Sequence, residues 1–179
     1  MAIERLNHAV LYVSDLQRSL AFYRDVLGFT ELPGGFPGGV FLQAPDSVND
    51  HDLGLFQSQN PTSEVTAGNV GLYHVAWEID TLAGLAEIRD RLRAADALTG
   101  ASNHSSTKAV YGRDPDGIEF EVCWLVPDEL VVDELVSAQP PTRPLDIDAE
   151  IARYGADTHG GPRTDRHLWE RVRRARAGG

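Results

Sequence analysis

A single plan is written twice in this chain. Residues 6–29 read LNHAVLYVSDLQRSLAFYRDVLGF, and residues 72–95 read LYHVAWEIDTLAGLAEIRDRLRAA. With His8 laid on His74, both begin with alternating apolar residues, pass through an acidic or hydroxyl turn, and continue as an amphipathic helix. Alternation puts successive side chains on opposite faces of a strand, whereas three- and four-residue spacing lines one face of a helix. Any fold for this chain has to accommodate both copies.

In the first copy Ala9, Leu11 and Val13 share one strand face, and His8, Val10 and Tyr12 share the other. Ser14 or Asp15 can cap the helix that follows, whose Leu16, Leu20, Tyr23 and Leu27 recur at helical spacing before Gly28 closes it. In the second copy Val75, Trp77 and Ile79 oppose His74, Ala76 and Glu78, and Asp80 or Thr81 can cap a helix carrying Leu82, Leu85, Ile88 and Leu92. Strand-type material follows each helix: GGVFLQA (38–44) and HDLGLFQ (51–57) after the first, STKAVYG (106–112) and GIEFEVCW (117–124) after the second. The last two are joined by a DPDG turn at 114–117, and short strands at Thr30–Leu32 and Ala97–Leu98 complete a βαβββ plan in each copy.

The expected fold is therefore α+β: two βαβββ repeats, about 3–57 and 70–126, joined by a polar linker at 58–70, their sheets forming an open, cupped barrel. Together they make a domain spanning 1–126. Residues 127–179 read as a C-terminal extension with an acidic arm, a Pro-rich spacer around SAQPPTRP and a basic terminal helix. Such an arm is expected to wrap the body or a neighbouring subunit.

Charge narrows the partners. The net charge of −11 argues against nucleic acid, which is bound by clustered Lys and Arg. Residues 1–162 hold 25 acids and 10 bases, a net −15, whereas residues 163–179 hold six Arg and two acids, a net +4. That basic end reads as a solvated, partly frayed helix, with docking on an acidic body as the other possibility. MAIERLNHAVLYV lacks a basic region followed by an apolar stretch, and no apolar run approaches the ~18 residues of a membrane span. A soluble, cytoplasmic protein is expected.

One cysteine excludes an internal disulfide framework and any Cys-rich metal site, so a metal would have to be held by His, Asp and Glu. His8, His51, His74 and His104 fall at strand or strand-edge positions, and His8 and His74 take equivalent places in the two copies. Glu121 lies in the last strand with Glu119 and Cys123 on its face, opposite Phe120, Val122 and Trp124. A carboxylate there is costly to bury unless it is paired or bound to a metal. With the first strands of both copies beside that last strand, His8, His74 and Glu121 converge in a cup. Two imidazoles and one carboxylate on one face leave adjacent positions open, the arrangement associated with non-haem Fe(II) oxygenases. Taken singly, each histidine is an ordinary core or surface residue; the equivalent placement with an in-strand Glu is what makes the barrel read as metal-binding. Cys123, Trp77, Trp124 and Trp169 read as packing residues, and His159 and His167 as surface residues of the tail.

LNHAVLYVSDLQRSLAFYRDVLGF, GLYHVAWEI and YGRDPDGIEFEV resemble the vicinal oxygen chelate (glyoxalase/bleomycin resistance/dioxygenase) superfamily over roughly residues 3–126. Within it the resemblance is to single-domain type I extradiol, catechol 2,3-dioxygenase-like enzymes. HDLGLF at 51–56 is similar to the segment carrying the family's acid–base histidine, which implies that role for His51. NHSSTKAVYGRDPDG at 103–117 is similar to the segment carrying a second-sphere His and a Tyr ten residues before the carboxylate ligand, which implies those roles for His104, Tyr111 and Glu121. Two segments depart from the pattern: the polar insert between His51 and His74, and NHSS, where a Gly often follows the His.

The resemblance implies a metal-dependent extradiol ring-cleavage dioxygenase acting on a catechol-type vicinal diol and O2. Its metal would be Fe(II), or Mn(II), which accepts the same ligands. A homo-oligomer, dimer or higher, is expected. Phe36, Phe41, Val10 and the segment after Trp124 would shape the pocket. Two other readings share the fold. A glyoxalase-type isomerase or lyase usually takes a fourth ligand from the last strand of the first copy, where this chain offers Leu53, Gly54, Leu55 and Phe56. A metal-free, drug-sequestering binding protein would not need His8, His74 and Glu121 together.

Overall fold

Alternation in AVLYV produces strand β1 (Ala9–Val13), with Leu11 and Val13 buried while Val10 and Tyr12 stay exposed. Helix α1 (Leu16–Asp25) starts at Asp15, whose carboxylate accepts the Arg18 N–H at 3.0 Å; of the two expected caps, Asp15 is the one used. Its stripe buries Leu20 and Tyr23, and Gly28, at φ +84°, closes the turn after it. Strands β2 (Thr30–Glu31), β3 (Gly39–Gln43) and β4 (Leu53–Gln57) follow. The sheet order is β1-β4-β3-β2, with β1 parallel to β4 and the other pairs antiparallel.

The computed structural model describes residues 2–3, 5–62, 65, 68, 70–132, 135, 142–161 and 163–177. The chain divides into two compact units, one formed by residues 1–75 with 113–119, the other by residues 76–112 with 120–179. In the first unit Leu11, Leu42, Leu53 and Leu55 form a core beneath α1. The DPDG turn does more than reverse the chain. Asp116 accepts from the Ser14 N–H (3.0 Å), the Ser14 hydroxyl and Arg18 Nη2 (2.8 Å), which ties the turn to the start of α1. Asp114 accepts the N–H groups of Asp116 and Ile118, both at 2.9 Å, and the Tyr23 hydroxyl at 3.2 Å. Burial raises the Asp114 carboxyl, and burial together with the Asp114 charge raises the Tyr23 phenol well above its ordinary range.

The second sheet repeats the first. Strand β5 (His74–Glu78), helix α2 (Leu82–Ala94), and strands β6 (Leu98–Asn103), β7 (Thr107–Arg113) and β8 (Glu119–Leu125) give the order β5-β8-β7-β6. Thr81 caps α2 through the Gly84 N–H at 3.1 Å, and Leu82, Leu85, Ile88 and Leu92 are all buried. The strands expected after the helices differ in length: β2 has two residues, whereas β6 runs for six and delivers the chain to His104.

The extension adds to this second sheet. Strand β9 (Arg143–Pro144) pairs antiparallel with β6, Ser102 opposite Pro144 and Asn103 opposite Arg143. Helix α3 (Ile147–Tyr154) packs on α2. The chain then lies along β8: Trp124 Nε1 donates to Thr158 O at 3.0 Å, and Gly161 N–H donates to Leu125 O at 3.0 Å. Helix α4 (Arg166–Ala177) buries Leu168, Trp169 and Val172, with Val131 packed against them. The Asp128 carboxylate accepts from the Thr164 N–H (2.8 Å) and Trp169 Nε1. The basic end is thus amphipathic and docked on its own chain, not merely solvated; its apolar residues recur at 168, 169 and 172 and need a surface to cover them. The Pro-rich stretch at 137–141 and part of the linker at 58–70 lie outside the described residues. Among the described residues no helix is long and apolar enough to cross a membrane.

Candidate active site

Parallel pairing of β1 with β4, Ala9 opposite Leu53, brings the two histidines of the first unit together. His8 immediately precedes β1, His51 lies two residues before β4, and their ring centroids are 4.3 Å apart. His51 Nδ1 stands 3.1 Å from Asp50 Oδ2, and its ring packs at 4.8 Å from Phe41. Against the upward push of desolvation, the His51 N–H and imidazole hold the Asp50 carboxyl below its ordinary range. On the sheet face that carries Val10 and Tyr12, Phe56 meets Phe36 at 5.0 Å, Phe41 at 6.0 Å and Tyr12 at 6.4 Å. Gly39 permits this: a Cβ there would stand 2.3 Å from Phe36 Cζ. The result is an aromatic surface with two imidazoles at its edge.

Asp52 holds that edge in place. Its backbone carbonyl accepts the Ala9 N–H at 3.0 Å, and its N–H donates to Leu42 O at 2.9 Å. Its buried carboxylate accepts from the Ala44 N–H (2.8 Å), the Ser47 hydroxyl (2.8 Å) and Asn49 Nδ2 (2.7 Å). Burial pushes this carboxyl up, but the donors from Ala44, Asn49 and Ser47 outweigh burial and hold it below the usual carboxylate range. Its contribution to stability is therefore fully present above about pH 4 and lost as the pH falls through the lower folded value. Asp52→Ala is expected to cost roughly 2–3 kcal/mol at neutral pH, the scale of lost hydrogen bonds to a charged acceptor. Denaturant midpoints of wild type and variant should converge in acid; a gap that ignores pH would contradict the ionised role.

The second unit carries the other pair. His104 follows β6, Tyr111 lies in β7, and His104 Nε2 is 2.8 Å from the Tyr111 hydroxyl. His104 Nδ1 is 3.1 Å from Thr142 Oγ1. Ser105, in the position where a Gly often follows the His, adopts φ +66°, a conformation that costs an L-residue about 1 kcal/mol. Its N–H donates to Asn103 Oδ1 at 2.9 Å, which secures the turn. Tyr111 packs on Ala109, Cys123 and Leu125. Glu121 is half-buried in β8, and β8 neighbours β5, the strand that begins with His74. Burial, then the charges of Glu121 and Glu78, push the Cys123 thiol up to about 12, so it is not a thiolate in the neutral range.

The structure thus brings His8 to His51 and His104 to Tyr111. His8, His51 and His74 belong to the first unit and His104, Tyr111 and Glu121 to the second. Within each unit, among the described residues, no group of three His, Cys, Asp or Glu side chains is close enough to hold a metal ion. Phe36, Phe41 and Val10, expected to shape a pocket, lie on the aromatic face of the first unit. Asp50 and Phe56 were not singled out from the sequence, although the place beside His51 and the alternation along β4 could have found them. Thr142 and Glu150 carried no signal, because their partners are 38 and 47 residues away.

A family model described as the Glyoxalase/Bleomycin resistance protein/Dioxygenase superfamily matches residues 5–122. The chain is 29% identical over 128 residues to a probable lactoylglutathione lyase of Synechocystis sp., covering 65% of this chain and 92% of that protein. It is also 29% identical over 119 residues to a catechol-2,3-dioxygenase of Bacillus subtilis, covering 65% of this chain but only 40% of that protein. A crystal structure of a glyoxylase/bleomycin resistance protein/dioxygenase domain from Frankia sp. EAN1pec shares the fold, with a TM-score of 0.60 at 22% identity over 68% of this chain and 92% of that one.

Proposed function

Because the chain belongs to the glyoxalase/bleomycin resistance protein/dioxygenase superfamily, we propose that it is an extradiol dioxygenase opening the ring of a catechol-type vicinal diol with O2. The observation that carries this reading is the His104–Tyr111 pair, imidazole to phenol at 2.8 Å, with Tyr111 ten residues before Glu121. Members of the superfamily bind divalent metals, and His8, His74 and Glu121 are the proposed ligands here. Two imidazoles and a carboxylate suit a borderline divalent ion, Fe(II) or Mn(II). When bound, such an ion supplies positive charge that favours deprotonation of the diol.

The chain's own residues supply the rest. The Phe36, Phe41 and Phe56 rings offer planar apolar area for an aromatic substrate and exclude water from it. Asp50, beside His51 Nδ1, holds the proton there and leaves Nε2 to accept one from a substrate hydroxyl. Tyr111, oriented by His104, holds a substrate oxygen. The reaction is placed in the cytoplasm, in a homo-oligomer.

The test is anaerobic loading with Fe(II), then O2 and a panel of catechols. A yellow ring-opened product and oxygen uptake are expected with at least one diol. No product with any diol would end the dioxygenase reading. A glyoxalase-type isomerase or lyase is the second reading, favoured by the lyase of Synechocystis sp. named above. Against it stands β4, where Leu53, Gly54, Leu55 and Phe56 offer no carboxylate. Failure to take up any divalent metal would favour a metal-free binding protein instead.

A further inference from the structure

We propose that Thr142, in the C-terminal extension, is a positioning residue that sets the tautomer of His104. A neutral imidazole has one N–H and one lone pair, and His104 meets a hydroxyl at each nitrogen: Thr142 Oγ1 at 3.1 Å from Nδ1 and Tyr111 at 2.8 Å from Nε2. Both hydroxyls cannot donate. The phenol, with an ordinary pKa of about 10, is the stronger acid, and it makes the shorter contact. Tyr111 therefore donates to Nε2, and His104 Nδ1–H donates to Thr142. With its proton directed to His104, Tyr111 would meet a substrate through its oxygen.

The extension is built to hold this geometry. Ser102 and Asn103 of β6 pair with Pro144 and Arg143 of β9, so the register continued by one residue sets Thr142 opposite His104. From the opposite side of the hairpin, Glu150 of α3 accepts from Asn103 Nδ2 at 2.7 Å. Asn103 Oδ1 in turn accepts from Lys108 Nζ and the Ser105 N–H, both at 2.9 Å. The His104 N–H donates to Thr107 O at 2.8 Å. Thr142 and Glu150 lie beyond residue 122, where the family match ends. The chain thus steadies an active-site histidine with residues from outside the family match.

The use made of Tyr111 rests on the proposed function; the tautomer does not. In the 179-residue chain with labelled histidine, 15N and 13C shifts recorded at a pH above the ordinary pKa of a free imidazole are expected to show His104 protonated at Nδ1. In Thr142→Val the ratio of Nδ1–H to Nε2–H should fall about fivefold, the scale of one net hydrogen bond. Thr142→Ser should restore it, while the His51 and His74 signals stay unchanged. A wild-type His104 protonated at Nε2, or a tautomer indifferent to Thr142→Val, would overturn the inference. Neither result needs metal, substrate or turnover, so ring cleavage can fail while the tautomer stands, and the reverse.

Discussion

His51→Ala is expected to leave metal uptake unchanged and to lower ring-cleavage turnover by about 10²–10⁴-fold, the range a positioned acid–base group supplies. The proposed ligands are His8, His74 and Glu121, so loss of His51 removes no donor to the ion. What it removes is a proton acceptor at the edge of the aromatic surface, held by Asp50 at 3.1 Å and by Phe41 at 4.8 Å. The two halves of the expectation separate the possible faults. Loss of metal together with activity would make His51 a ligand or a support for His8, whose ring lies 4.3 Å away. Retained metal with undiminished turnover would remove its acid–base role. Asp50→Asn should give a smaller defect, because it changes the proton's preferred nitrogen without removing the imidazole.

Glu150→Ala is expected to destabilise the second unit by roughly 3–5 kcal/mol, the cost of leaving a buried charge without its partner. Lys108 is fully buried in β7, with Nζ 3.1 Å from Glu150 Oε2 in an ion-pair contact not aligned as a hydrogen bond. Burial drives the Lys108 amine down from its ordinary range and the Glu150 charge drives it back up, with burial the larger effect. Removing Glu150 deletes only the compensating half. Replacing both, as in Lys108→Met with Glu150→Leu, takes away the desolvation cost as well and should recover most of the loss. Denaturant midpoints of the two variants decide it. If the double variant is no more stable than the single one, the Asn103 bonds, not the buried charge, account for the loss.

The buried pair also shows where sequence reading stops. Lys108 sits in a strand whose pattern, TKAVYGR, alternates poorly, and nothing local marks it as buried. Its partner is 42 residues away on a helix of the extension. By contrast, the stripe Leu82, Leu85, Ile88 and Leu92 announces a helix and its buried face together, because spacing and burial there are one local property. His8 and His51 fall between these cases. Each was singled out by the sequence, one from its place in the repeat and the other from a family resemblance. Their 4.3 Å approach depends on β1 lying parallel beside β4, which strand patterns alone do not specify.

What the sequence by itself determined is the duplicated βαβββ plan, the helix stripes, a pair of candidate caps before each helix, and the superfamily to which residues 5–122 conform. These follow from periodicities of two and of three to four residues, which act within one turn or one strand. Tertiary structure alone decided that Asp116 of the DPDG turn ties down the start of α1, which of the candidate caps is used, that the basic terminal helix docks through Asp128, and that Thr142 reaches His104. In each long-range case a polar side chain meets a donor or acceptor presented by a distant segment, and a hydrogen bond leaves no periodic trace in the residues that make it.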